Sequence, residues 1–85
     1  MDQEILHTIA ADPELHGRIQ GSISSKLFNE DFAEIYDAIA NARIKHTDKA
    51  LSENDVRAVW LKNNPVATRS EREFIGDLIG SVFRA

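Results

Sequence analysis

A chain of 85 residues with net charge −4 and no cysteine makes one small domain, spanning 1–85. The lack of cysteine excludes disulfides and thiolate metal sites, and no apolar run approaches the roughly 18 residues of a membrane span. The acidic balance weighs against a chain whose main task is gripping phosphates, and the short length leaves little room for a deep catalytic pocket beside a core.

The first helix is predicted from Asp2 or Gln3 to Ala11, with Ile5, Leu6, Ile9 and Ala10 as its buried face. Asp12 stops it and caps the next helix, with Pro13 at the first helical position, where its missing N–H costs nothing. Leu15, Ile19 and Ile23 continue at four-residue spacing. Gly17 and Gly21 each weaken that helix by about 1 kcal/mol relative to alanine, so regularity is expected to fail after Gln20. Ser22, Ser24 and Ser25 mark a break, after which Leu27 and Phe28 return to the core.

Asn29 to Ile44 carries the strongest helical pattern. Phe32, Ile35, Tyr36, Ile39 and Ile44 are spaced as one helix face, with Ala38 and Ala42 between them. Asn29 is a good cap; Glu30, Asp31 and Glu34 suit the positive end of the helix dipole, and Arg43 and Lys45 the negative end. A polar loop follows from Lys45 to Ala50. Ser52 then caps the next helix, with Asp55 as its reciprocal partner and Leu51 placed to staple onto Val56. Val56, Val59 and Trp60 make the apolar face of this helix, with Leu61 at its margin. Asn63-Asn64-Pro65 ends it.

The last helix has two overlapping capping boxes, Thr68…Glu71 and Ser70…Glu73. Phe74, Ile75, Leu78, Ile79, Val82 and Phe83 form a wide apolar stripe. Gly76 and Gly80 are expected to let a neighbouring helix approach closely. No window alternates with period two, so the fold class expected is all-α, a small irregular bundle of five or six short helices.

The chain shows no catalytic constellation, metal-ligand spacing or phosphate loop, and no cofactor is expected. His7, His16 and His46 read as surface or boundary residues. Glu30, Glu34 and Asp37 share one helix face opposite the apolar one and form a candidate partner-binding stripe. Arg43, Lys45, Lys49, Arg57 and Lys62 form a candidate nucleic-acid contact. Charge is also uneven along the chain. Residues 1–42 hold 8 acidic and 2 basic side chains, whereas 43–85 hold 6 acidic and 8 basic. A helix-turn-helix built from the Ser52 and Thr68 helices is disfavoured, because the second helix has too wide an apolar stripe for groove reading.

Several short motifs stand in a particular order along the chain. These are Asp2-Gln3-Glu4-Ile5-Leu6, Asp12-Pro13-Glu14, Leu27-Phe28, Glu34-Ile35-Tyr36-Asp37-Ala38-Ile39, Leu51-Ser52-Glu53-Asn54-Asp55-Val56 and Asp77-Leu78-Ile79. In order and spacing the chain resembles the N-terminal domain of DnaB-type hexameric replicative helicases, including the phage versions, from Gln3 to about Val82. The resemblance implies a helical collar domain that supports oligomerisation and docks primase or a helicase loader. It also implies no catalytic role, since the ATPase of that family lies in a separate C-terminal domain absent from this sequence. The expectation is a cytoplasmic, non-catalytic interaction module of DNA replication. Its partners would be primase, loader or helicase subunits, or further copies of itself, with weak or no direct contact to nucleic acid and none to membrane. The alternative is a small DNA-binding module of a replication initiator, or a stand-alone helicase-binding protein.

Overall fold

The computed structural model describes residues 2–19, 21–22, 25–47 and 49–85. They form five α-helices: α1 (Asp2–Ala11), α2 (Pro13–Ile19), α3 (Glu30–Lys45), α4 (Glu53–Asn63) and α5 (Arg69–Arg84). A single 3-10 turn, Ser25–Leu27, precedes α3. No strand occurs among the described residues, so the chain is a small all-α bundle. Its radius of gyration, 11.8 Å, is that of a close-packed chain of this length. The expected places of Ile23 and Ser24 lie outside the described residues.

Local chemistry sets most of the helix starts. The Asp12 carboxylate accepts from the Leu15 N–H at 3.1 Å, and α2 opens on Pro13. The Asn29 side chain accepts from the Phe32 N–H at 3.2 Å. Both later helices start with a complete capping box. In one, the Ser52 hydroxyl accepts from Asp55 N–H and the Asp55 carboxylate from Ser52 N–H. In the other, Thr68 and Glu71 exchange the same pair of bonds. Ser70 lies inside α5, and Glu73 instead pairs with Arg69 at 3.2 Å, so the second of the overlapping boxes is not used.

α3 is the central element. It packs most extensively on α4 and also touches α1, α5 and the 3-10 turn. Ile35, Ile39, Ala38 and Ala42 of α3 meet Leu6, Ile9 and Ala10 of α1, Val56 and Trp60 of α4, and Ile75, Ile79 and Val82 of α5 in one core. Phe28 stacks on Tyr36 at 5.4 Å between ring centres. α1 and α5 also pack together, tied by a bond of 3.0 Å between His7 Nδ1 and the Val82 carbonyl oxygen.

Several residues read as apolar-face members lie outside the core. Ile44 is 73% exposed, because five residues beyond Ile39 is about 140° further round the helix. Arg43, only about 40° from Ile39, takes the inward place instead. Ile5 and Phe74 are exposed as well. Leu27 is exposed on the 3-10 turn, and only Phe28 enters the core. Gly76 and Gly80 do not admit a helix backbone. The Arg57 side chain lies 3.8 Å from where a Cβ on Gly76 would be, and the Arg84 guanidinium only 2.9 Å from that of Gly80.

His16 corrects the surface reading. It is 2% exposed, edge-on to Tyr36, and its Nδ1 accepts from Arg43 Nε at 3.3 Å. Arginine has no acceptor and does not give up its charge, so this bond needs a neutral imidazole with its proton on Nε2. Burial, and then the Arg43 charge, hold His16 below its ordinary value of 6.5. The unfolded chain therefore binds this proton more readily than the folded one. The stabilising contribution is complete above pH 6.5 and is lost as pH falls toward the depressed folded value. His16→Gln keeps an acceptor for Arg43 without titrating. Urea titrations between pH 7 and about pH 5 are expected to show a shallower loss of stability for the variant than for the parent. Parallel slopes would assign the acid sensitivity to other groups.

Candidate functional site

The acidic stripe forms as the helical spacing predicts. Glu30, Glu34 and Asp37 are all exposed on α3, with Asp31 beside them, because Ile35, Ile39 and Ala42 turn the other face inward. Among the described residues none of these four carboxylates has a cation within ion-pairing distance. Partial shielding of Glu34, and then the charges of Asp31, Glu30, Glu71 and Asp37, push its carboxyl above the ordinary value. Like charges are thus crowded with no side-chain cation to offset them, only the positive end of α3 beside Glu30 and Asp31, and Glu71 at the start of α5 extends the field beyond α3. Glu34 and Asp37 also line a groove of about 380 Å³ between α3 and α4, with Asn41, Trp60, Asn63 and Asn64. Such a surface offers acceptors, amides and a deep aromatic wall to a cationic partner.

The basic set is not brought together. Arg43 is 8% exposed and belongs to the fold. Its guanidinium donates to the carbonyls of Ile9 (2.8 Å), Ala10 (3.0 Å), His46 and Lys49. The cause lies in α1. The Ile9 carbonyl would accept from the N–H four residues on, but that residue is Pro13. Arg43 supplies the missing donor from another helix. Its placement among candidate nucleic-acid contacts is therefore corrected.

Arg57 is engaged as well, donating to Glu53 at 2.7 Å and to the Gly76 carbonyl at 3.1 Å. Lys45 and Lys49 are exposed and share a hollow with His46 and Thr47. His46 Nε2 lies 4.0 Å from Asp55, which sets this loop beside the first turn of α4. Lys62, also exposed, is seven residues further along α4, about 10 Å away along the helix axis.

Among the described residues no group of three or more His, Cys, Asp or Glu side chains is placed to hold a metal ion. No helix among them is long and apolar enough to cross a membrane. A larger groove, of about 450 Å³, runs between α4 and α5 and shares Trp60 with the acidic one. No sequence signal marks it, because its walls combine apolar positions of two helices with arginines from both. No family model, no curated protein and no solved structure matches the chain.

Proposed function

We propose that this domain is a non-catalytic protein-interaction module of DNA replication that docks a basic surface of its partner on the acidic face of α3. The observation that carries the docking reading is the set of unpaired, mutually repelling carboxylates at Glu30, Asp31, Glu34 and Asp37. A cationic partner relieves that repulsion, which favours fast association and suppresses acidic competitors. The assignment to replication rests on the order and spacing of the motifs shared with the helicase collar domain. It points to primase, a helicase loader, helicase subunits or further copies of this chain as partners, in the cytoplasm.

The test starts with affinity capture of primase, loader or helicase subunits from nuclease-treated lysate of the source cells. It continues with titration of the purified partner. Glu30→Lys with Glu34→Lys is expected to weaken that binding by at least about tenfold. Both sites are exposed, but Glu30 opens α3 at the positive end of its dipole, so thermal or urea unfolding should change by no more than about 1 kcal/mol. Unchanged affinity would remove the stripe as the site. The DNA-binding alternative has Lys45, Lys49 and Lys62 left to rest on, since Arg43 and Arg57 are committed within the fold. Binding of duplex DNA at about 50 mM salt, weakened by Lys45→Glu with Lys49→Glu, would favour it.

A further inference from the structure

We infer that the groove between α4 and α5 is a second docking site, and that it takes an acidic peptide segment carrying a large apolar side chain. The floor is apolar, built from Trp60, Leu61, Ile75 and Ile79, and Leu61 remains exposed there. Arg69 and Arg72 stand at the end of the groove nearest the start of α5, where the helix dipole adds positive character. Arg69 is tied only to the exposed Glu73, at 3.2 Å. Arg72 donates Nε to the Ala67 carbonyl at 3.2 Å and has no carboxylate within ion-pairing distance among the described residues. Asp77 stands two turns along α5 and gives the groove a negative end. The site is therefore polarised, with carboxylates favoured at the Arg69–Arg72 end and the apolar group placed over Leu61, Ile75 and Ile79.

A second observation is independent of the rim charges. Among the described residues, two buried side-chain nitrogens lack a hydrogen-bond partner, Arg57 Nε and Trp60 Nε1, and both residues line this groove. Both atoms are donors, so an acceptor is what each of them lacks. Its lining on α5 runs from Arg69 to Ile79, about 15 Å of helix, which suits an elongated segment better than a small molecule.

Trp60 is the only tryptophan in the chain, so its emission reports occupation directly. The full chain is titrated with a synthetic peptide of about ten residues built from Asp, Glu and Leu, one residue for each step of the lining on α5. Two controls accompany it, one with Lys in place of the acids, read on the Glu30→Lys with Glu34→Lys chain because the acidic groove shares Trp60, and one with Ser in place of Leu. The acidic-apolar peptide is expected to give a saturable emission change, with each control at least about tenfold weaker. Arg69→Gln with Arg72→Gln should weaken it by about tenfold, and so should Leu61→Asn on the floor. Glu30→Lys with Glu34→Lys should leave it unchanged, which separates this site from the acidic face. The inference is overturned by no saturable change up to about 1 mM peptide, by equal binding of the Lys control, or by indifference to both groove variants. A change in emission with protein concentration alone would also overturn it, and would make the occupant a second copy of the chain.

Discussion

Arg43→Met is expected to lower the stability of the domain by about 3–5 kcal/mol, the summed cost of leaving several buried acceptors without donors. The methionine fills much of the volume but supplies no donors. The Ile9 carbonyl then has no partner at all, since Pro13 cannot provide one. The Ala10 carbonyl keeps its bond from Leu51 N–H at 2.9 Å, so it is only partly stripped. His16 Nδ1 is left as a buried acceptor, and the loop carbonyls of His46 and Lys49 lose the group that draws them onto α3. A folded chain of this length is stable by roughly 4–13 kcal/mol, so the loss is a large fraction of the total. Arg43→Lys should recover little, because one ammonium cannot reach acceptors spread around a planar guanidinium. A urea titration of the three proteins decides the matter. A loss below about 1 kcal/mol for the methionine variant would mean that water replaces the guanidinium at those carbonyls.

That network also marks the limit of what was legible from residue order. The caps at Asn29, Ser52 and Thr68 are local, each a side chain meeting a backbone N–H three residues on, and each forms as expected. The acidic stripe was legible for the same reason, since helical spacing alone puts Glu30, Glu34 and Asp37 on one face. Arg43 and His16 are different. Arg43 turns inward to a carbonyl left bare at Ile9, 34 residues away in the chain, and His16 is buried against Arg43 and Tyr36. One local signal was available: Arg43 falls four residues after Ile39, on the inward face, whereas Ile44 does not. Residue type pointed the wrong way at both positions, and the angle decided them. The α4–α5 groove needed the packing of two helices, because the spacing of Trp60, Leu61, Ile75 and Ile79 reads equally well as closed core.

Trp60→Ala is expected to cost about 3–5 kcal/mol, as for other truncations of large buried aromatics. Trp60 is 4% exposed and sits where α4 meets both neighbours, walling the acidic groove on one side and the arginine-rimmed groove on the other. Removing the ring leaves a cavity that α3, α4 and α5 can only partly close, and the lost contacts add to the lost apolar burial. Trp60→Phe should cost less than about 2 kcal/mol. It keeps most of the packing and removes the buried Nε1–H that has no partner, so the loss of volume is offset by the loss of an unsatisfied donor. The ordering of the two variants in a denaturant titration therefore tests the wall and the orphan donor separately. If Trp60→Phe is as damaging as Trp60→Ala, the indole N–H is satisfied in solution. If Trp60→Ala costs below about 1 kcal/mol, the helices close over the gap and the two grooves are not held apart by this ring. With the expected result, a single side chain holds apart the groove lined by Glu34 and Asp37 and the groove that has Arg69 and Arg72 at one end.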